Sequence, residues 1–336
     1  YFNNKIKRQL FLVGIACIVV FDLWGVSLRY LHNNEHTSLE NQLTGQSGLK
    51  HWQDKDVKLF PHMPQGADLA IRDYEISSNS ELRLKIQNRM KSVFEEYSNS
   101  DHRNRIATVE SFKELNFNTN YRVLEMGNPL NTARTSFLHK SIGGYSAVKI
   151  KRFQEMIDFY FQKEYGILQN SLSNSQFENL KSAHFFNMLN TKYFIFDLKN
   201  NGIIDLSKPT KNKPGVLKNP FALGNAWSVS NINWAENADD EIAKIGEISF
   251  DPSSTVIINN KDRDEIGELN PKGMAKVEML KYKANLINYQ VNASEEDFIV
   301  FSEIFYKKGW KAFIDGREVP HYRVNYILRG IKAPIG

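Results

Sequence analysis

The stretch Asp297–Pro334, "DFIVFSEIFYKKGWKAFIDGREVPHYRVNYILRGIKAP", decides the kind of fold that the C-terminal part of the chain adopts. Apolar and polar residues alternate over short segments, and "DGRE" at 315–318 separates two of them as a hairpin turn does. From Met274 onward the pattern indicates strands only. Residues 272–336 are therefore predicted to form an antiparallel β-sandwich, jelly-roll-like, whose last strand lies beyond the end of this chain.

Helical and strand patterns are mixed upstream of this stretch. Apolar residues share one helical face in "ELRLKIQNRMKSVFEEYS" (81–98), and "NYRVLEM" (120–126) alternates like a strand. Ser146 is predicted to cap a helix, and a second helix is predicted at roughly Ser175–Leu189. "KYFIFDLKNNGIIDL" (192–206) is predicted to be a hairpin around its Asn-Asn-Gly turn.

These patterns predict the domain organisation. Residues 32–210 are interpreted as a mixed α/β domain, and the Pro- and Lys-rich loop "SKPTKNKPGVLKNP" (207–220) as a boundary. Residues 211–271 are interpreted as a connecting α/β segment, with a helix at "NADDEIAKIG" (237–246) and a strand at "STVIIN" (254–259). The predicted fold class is thus α+β.

The N-terminal stretch "LFLVGIACIVVF" (10–21) is apolar and follows "KIKR". Extended to Leu31 it reaches the roughly 20 residues that span a bilayer. Asp22 interrupts it, which a membrane helix tolerates mainly near its end or against protein or water. Residues 10–31 are predicted to be a transmembrane helix, with 1–9 as a cytoplasmic stub by the positive-inside rule and the main body extracytoplasmic. A signal peptide and a buried globular helix are the alternatives.

Composition excludes some classes of function. The net charge of +5 over 336 residues is small and scattered, which argues against nucleic acid as a partner. The only cysteine is Cys17, in the apolar stretch, so the polar part of the chain has no disulfide and no thiol chemistry.

The short motifs that carry chemistry elsewhere are weak in this sequence. "SAVK" (146–149) matches the S-x-x-K pair of penicillin-binding enzymes, but no K-[ST]-G or S-D-N partner accompanies it. A calcium loop at 197–208 fails because Lys199 and Lys208 stand where carboxylates are needed. The histidines lack metal-ligand spacing, so no metal site is predicted. Asn292 begins a single glycosylation sequon.

Four blocks of the sequence resemble a known family. They are "NPLNTARTSFLHKSIGGYSAVKIKRFQEMI" (128–157), "NMLNTKYFIF" (187–196), "ALGNAWSV" (222–229) and "FSEIFYKKGWKAFIDGREVPHYRVNYILRGIKAP" (301–334). These blocks look like the C-terminal half of YfhO-type bacterial membrane proteins. The N-terminal apolar stretch resembles the transmembrane helix that enters that region.

The resemblance implies a function. YfhO-type proteins are polytopic and are grouped with GT-C glycosyltransferases, which transfer a sugar from a polyprenyl-phosphate carrier to an acceptor outside the cytoplasmic membrane. Their catalytic acidic residue lies in an early outer loop, so no residue of this chain is assigned a catalytic role. The implied partners are membrane lipid, an envelope glycan or lipid-linked sugar, and the upstream transmembrane region. No cofactor is expected beyond the polyprenyl-phosphate sugar donor.

A binding role is predicted for the segment before the helix of block 128–157. Cations at a helix N-terminus cost roughly a few tenths of a kcal/mol each, yet Lys149, Lys151 and Arg152 all lie there. Gly143 and Gly144 allow a tight bend or a close approach to a ligand. The predicted contacts of the carrier phosphate or anionic lipid are these: Arg134, His139, Tyr145, Lys149 and Arg152. The alternative is a solvated polar face.

Aromatic residues suggest a second kind of contact. Trp227 and Trp310 are predicted to stack on sugar rings, with burial in the core as the alternative. Three functions follow: the soluble part of a lipid-sugar-dependent glycosyltransferase, a non-catalytic envelope glycan-binding module, or a structural domain of the polytopic protein.

Overall fold

The computed structural model describes residues 8–30, 62–96, 100–144, 149–210 and 212–336, except for the side chains of 8–12, 25–30 and 100–102. The chain divides into two compact units, Tyr1–Pro61 and His62–Gly336. Two predicted residues, the helix cap Ser146 and the site residue Tyr145, lie outside the described residues.

The first unit contains the helix α1 (Arg8–Tyr30), over the apolar stretch that was predicted to be helical. Its described side chains, those of residues 13–24, are exposed, Cys17 among them. Within the part of the chain that the structure describes, no helix combines the length and the apolar character needed to cross a membrane. The helical conformation is confirmed, and the predicted membrane span is not supported.

The second unit begins with three helices, α2 (Gly66–Ser78), α3 (Ser80–Glu96) and α4 (Ser100–Asn118). A capping box starts α2, because the side chains of Gln65 and Asp68 each bond the other's backbone N–H. Apolar side chains of α3 and α4 form a shared cluster with the following short helix: Leu82, Ile86, Phe112, Leu115 and Leu138. The predicted helix at 81–98 is thus confirmed over 81–96, and residues 97 and 98 lie outside the described residues.

The first sheet has the strand order β1-β2-β4-β3. Its strands are β1 (Arg122–Glu125), β2 (Thr191–Ile195), β3 (Gly202–Ile204) and β4 (Pro214–Lys218). β1 and β2 are parallel, β4 is antiparallel to β2, and β3 is parallel to β4. The strand predicted at 120–126 is confirmed.

The predicted hairpin at 192–206 is wrong, because β4 lies between β2 and β3. The connecting loop folds onto Gly215 of β4, whose carbonyl accepts the backbone N–H groups of Phe196 and Asp197. A Cβ on Gly215 would overlap the carbonyl oxygens of Asp197 and Asn200. Because glycine has no side chain, the loop backbone at 197–200 can pack directly against Gly215, and β2 is not followed by a tight turn into β3.

A helical layer follows β1. After the short helix α5 (Arg134–Leu138), α6 (Lys151–Met156) continues through a π-helical turn (Ile157–Phe161) into α7 (Gln162–Asn174). The predicted start at Ser146 is wrong, since Ile150 is the N-cap and Lys149 precedes the helix.

The second predicted helix, Ser175–Leu189, is divided. Ser175 adopts a left-handed conformation that ends α7. A 3₁₀ turn (Phe177–Ser182) and the short helix α8 (His184–Met188) follow.

The second sheet has the order β5-β10-β14-β13-β7-β6. Neighbouring strands in this sheet are antiparallel, except that β6 and β7 are parallel and are connected by α9 (Ala238–Ile245). The strands are β5 (Ala226–Val229), β6 (Asn231–Ala235), β7 (Thr255–Asn259), β10 (Asp297–Phe301), β13 (Tyr322–Val324) and β14 (Leu328–Ala333). The helix predicted at 237–246 and the strand predicted at 254–259 are confirmed.

Two hairpins lie outside this sheet. They are β8–β9 (Lys276–Lys283 and Leu286–Asn292) and β11–β12 (Ala312–Ile314 and Arg317–Val319). The predicted self-contained sandwich at 272–336 is therefore not formed, because β10, β13 and β14 share one sheet with β5–β7. Strand pairing joins segments across position 272, since β10 bonds β5 and β13 bonds β7. The coarser prediction, mixed α and β with antiparallel sheets, is confirmed.

One hydrophobic core contains residues of both sheets and of the helices. Examples are Phe194 on β2, Phe186 in α8 and Phe298 on β10. The opposite side of the first sheet packs on α2 through a smaller cluster around Tyr193 and Ile71. The second sheet carries another cluster, around Ile299, that the hairpins help to cover.

Candidate functional site

Arg134 and His139, two predicted ligand contacts, converge on one carboxylate inside the protein. Arg134 donates to both oxygens of Asp68, at 2.7 and 3.2 Å, and His139 Nε2 lies 3.1 Å from Oδ1. Asp68 is fully buried and also accepts the backbone N–H of Gln65. The geometry gives both residues a structural role, because Asp68 needs them as partners.

Arg152 is also held within the protein. Its Nη1 donates to Glu241 Oε2 at 2.5 Å, and its guanidinium lies 4.3 Å from the centre of the Tyr326 ring. Glu241 is buried in α9, so the ion pair joins α6 to that helix. Lys149, half-buried, has no ion pair among the described residues. The predicted phosphate contacts are thus dispersed, and their role as a set stays a prediction.

The two predicted stacking residues lie in different surroundings. Trp227, on β5, is half-buried against the core, and its indole N–H donates to the Pro252 carbonyl at 2.8 Å. The Arg329 guanidinium lies 4.6 Å from the centre of the Trp310 ring and covers one of its faces. Neither ring lines the large groove described next.

A groove of about 830 Å³ lies beside the first sheet and is here called the polar groove. Its walls include the end of α4 with the residues before β1, the ends of β2 and β4, and the loop 219–225; Glu75, Glu178, 205–207 and Met279 complete the lining. The polar and charged residues that line it are Glu75, Asn118, Thr119, Asn120, Tyr121, Glu178, Asn190, Lys192, Asp205, Ser207, Lys218, Asn219 and Asn225. Its volume lies within the range of small-molecule sites.

One end of the polar groove carries the buried carboxylate Glu75. Lys192 Nζ lies 2.5 Å from its Oε1, and the Tyr193 hydroxyl donates to the same oxygen. The Lys192 ammonium also lies 5.0 Å from the centre of the Tyr121 ring. The position of this lysine is therefore fixed by an ion pair and by aromatic contact.

A similar arrangement holds Asp205. The Tyr74 hydroxyl and Lys218 Nζ both donate to its Oδ2, the latter at 3.1 Å. Burial alone would raise the pKa of Asp205, but hydrogen bonds from Tyr74, Ser207 and Lys218 outweigh it and hold the pKa well below its ordinary value. Asp205 is therefore ionised at neutral pH, and Lys218 neutralises it.

The charges of the polar groove nearly cancel. Three carboxylates, Glu75, Glu178 and Asp205, stand against the two ammonium groups of Lys192 and Lys218, a balance of −1. Both lysines are engaged in ion pairs. The groove therefore lacks the excess of positive charge that a phosphate or a nucleic acid requires.

Amide side chains dominate the remaining polar lining. Asn190 donates through Nδ2 to the Asn120 carbonyl at 2.8 Å and to Asn225 Oδ1 at 3.0 Å. Asn120 in turn donates to Glu303 at 2.8 Å. These bonds fix the amides, and within the described structure no donation from Asn225 Nδ2 is found. An amide offers both a donor and an acceptor to a ligand.

Tyr121 provides the clearest unsatisfied group in the groove. Its side chain is more than nine-tenths buried, and within the described structure its hydroxyl makes no hydrogen bond of ordinary geometry, the Thr119 side chain being a polar group close to it. Burial and the nearby charge of Glu75 raise the pKa of Tyr121 well above its ordinary value, so the hydroxyl is neutral. A buried hydroxyl without a partner is costly, and this oxygen is closed to solvent, so it is not itself a contact surface of the groove.

The structure offers no metal centre in its described parts, where no group of three His, Cys, Asp or Glu side chains could hold an ion.

Comparison with known proteins gives no relative. The chain matches no protein-family profile, and neither a curated protein nor a solved structure is significantly similar to it.

The polar groove was not predicted from the sequence, although a signal for it existed. Two blocks that carried the family resemblance, 187–196 and 222–229, supply Asn190, Lys192 and Asn225 to its lining. Amides and lysines in separate blocks cannot be assigned to one groove until the strand order is known.

Proposed function

We propose that the polar groove binds a segment of an envelope glycan, and that the chain serves a membrane glycosyltransferase of the YfhO type as a glycan-holding region. The observation that carries the glycan part is the lining of the groove: fixed amides, a near balance of charge and the Asn225 amide, whose Nδ2 donates to no group within the described structure. A sugar presents hydroxyl groups that donate and accept at once, which this lining matches.

The balance of charge separates this proposal from the binding of the sugar donor. A polyprenyl-phosphate group needs unpaired cations, whereas Lys192 and Lys218 neutralise carboxylates. The groove therefore suits the acceptor polymer better than the phosphate of the donor. This agrees with the non-catalytic glycan-binding alternative that the sequence left open.

The wider proposal concerns the parent protein. The similarity of the four sequence blocks supports a glycosyltransferase that uses a polyprenyl-phosphate sugar in the bacterial cytoplasmic membrane, with residues after α1 on the outer side. The exposed apolar side chains of α1, among them Ile18, Val20 and Phe21, favour an apolar surrounding for that helix.

Calorimetric titration of the chain with envelope polysaccharide fragments tests the glycan part. Asn225→Ala removes one amide of the groove but leaves Asn190 its bond to the Asn120 carbonyl, so folding is expected to be retained. One hydrogen bond to the ligand is worth about 0.5–1.5 kcal/mol, and we expect the Kd to rise roughly threefold to tenfold.

Asn231→Ala, an exposed asparagine on β6 outside the groove, is the matched control and should leave the Kd unchanged. An equal loss in both variants, or no binding of any fragment, would remove the support for the glycan site. Loss of sugar transfer by the parent protein with glycan binding intact would instead favour direct participation in the active site.

A further inference from the structure

A basic and aromatic segment projects beside the second sheet. Residues Tyr306–Glu318, here called the basic aromatic tip, contain a tight turn and the hairpin β11–β12. The Gly309 N–H donates to the Tyr306 carbonyl at 3.1 Å and closes the turn. Lys307 and Lys308 lie at its apex, and both are exposed. The turn thus presents two adjacent ammonium groups to the outside.

Large aromatic side chains of the tip are exposed as well. On β11, Ala312 and Ile314 pack against the cluster of the second sheet, so the alternation of a strand turns Phe313 to the opposite side. Phe313 is 58% exposed and Tyr306 is 54% exposed. The tip therefore carries two exposed aromatic side chains close in sequence to its lysines.

The charge of the tip is positive. Lys307, Lys308, Lys311 and Arg317 stand against Asp315 and Glu318, a balance of +2. The Lys311–Glu318 pair, at 2.9 Å, is exposed and neutralises one cation.

Behind the tip, Arg329 covers the Trp310 ring and donates to the Ile304 carbonyl at 2.8 Å. Burial and the charges of Arg329 and Lys307 lower the pKa of His321.

We infer that the basic aromatic tip docks on an anionic lipid surface. Lysines are drawn to anionic headgroups, whereas tyrosine and phenylalanine side chains partition into the interfacial region below them. A soluble polyanion would use the cations but would leave Phe313 and Tyr306 in water, so the aromatic residues favour the bilayer. The inference is independent of glycan binding by the polar groove, which shares no residue with the tip.

A local fluorescent probe tests this in the whole chain. In a Cys17→Ser background, Phe313→Cys carries an environment-sensitive dye, and Leu280→Cys on the β8–β9 hairpin carries it in the control. The two positions are matched, since Leu280 is 59% exposed and also has neighbouring lysines. We expect a several-fold rise of emission at 313 with phosphatidylglycerol-containing vesicles, lost with pure phosphatidylcholine vesicles and in high salt.

Charge reversal gives the second measurement. Each lysine near an anionic surface raises membrane partitioning roughly fivefold, so Lys307→Glu with Lys308→Glu should abolish the rise at 313. Reversal of the exposed Lys281 and Lys283 on the other hairpin should leave it unchanged. No rise at 313, an equal rise at 280, or the same rise with inorganic polyphosphate alone would overturn the inference.

Discussion

Replacing Arg134 with methionine tests whether this residue is structural. Asp68 is fully buried, and Arg134 supplies two of its hydrogen bonds and its closest positive charge. Methionine fills similar space without charge, which leaves the carboxylate with the Gln65 N–H and His139 alone. Removing one partner of a buried ion pair costs about 3–5 kcal/mol. With two hydrogen bonds retained, we expect a loss near the lower value.

Urea unfolding followed by circular dichroism measures the loss. At a slope of about 3 kcal/mol per molar urea, the midpoint should fall by roughly 1 M. Arg83→Met is the matched control, because exposed Arg83 donates, among the residues that the structure describes, only to the carbonyl oxygens of Ile76 and Ser77. Its expected cost is below about 1 kcal/mol.

A double variant identifies the cause. Asp68→Asn removes the buried negative charge, so Asp68→Asn with Arg134→Met should recover a large part of the stability that Arg134→Met alone loses. If Arg134→Met instead costs no more than Arg83→Met, Asp68 does not depend on Arg134. The guanidinium would then be free for an anionic ligand, as the sequence predicted.

Two further predictions concern the pH dependence of stability and backbone packing. Glu164 is buried and accepts the N–H groups of Phe185 and Phe186, and burial raises its pKa from 4.5 to about 8. The folded state therefore binds more protons than the unfolded state between about pH 4.5 and 8, so the free energy of unfolding should fall across that window by up to about 1.4 kcal/mol per pH unit. Glu164→Gln should flatten this dependence of urea unfolding on pH. Parallel pH profiles for the two proteins would contradict the prediction. Gly143→Ala should lower the free energy of unfolding by about 1–3 kcal/mol, because the new Cβ would overlap the Pro129 carbonyl. Gly166→Ala in α7, where there is open space, should raise it by about 0.5–1 kcal/mol. Equal effects of the two variants in thermal unfolding would refute the packing argument.

The elements that the sequence predicted correctly are those with a local cause. The apolar face of 81–98 produced α3, and "DGRE" produced the β11–β12 turn, in which Asp315 and Gly316 have positive φ. Periodicity and turn residues act over a few positions, so one sequence reveals them.

Strand order could not be predicted from such local patterns. The segment 192–206 has the composition of a hairpin, yet the insertion of β4 between β2 and β3 depends on Gly215, which lies beyond that segment. Likewise, the strands after 272 alternate as sandwich strands do, but their partners β5 and β7 precede them by many residues. Alternation predicts a strand and one buried face, whereas pairing is decided by the whole core.

The three cations around the start of α6 show that the contacts within a site, like the strand order, cannot be predicted from the local sequence. The sequence presents Lys149, Lys151 and Arg152 as neighbouring cations that either meet an anion or form a solvated polar face. It does not show that Glu241 is the anion that Arg152 meets. Glu241 is buried, so withdrawing Arg152 to a lipid phosphate would remove the cation that is hydrogen-bonded to its carboxylate, at a cost of several kcal/mol. Any anion contact of this segment must therefore rest on Lys149 and on Lys151, whose exposed ammonium group has only the weak pair with Glu155 to give up.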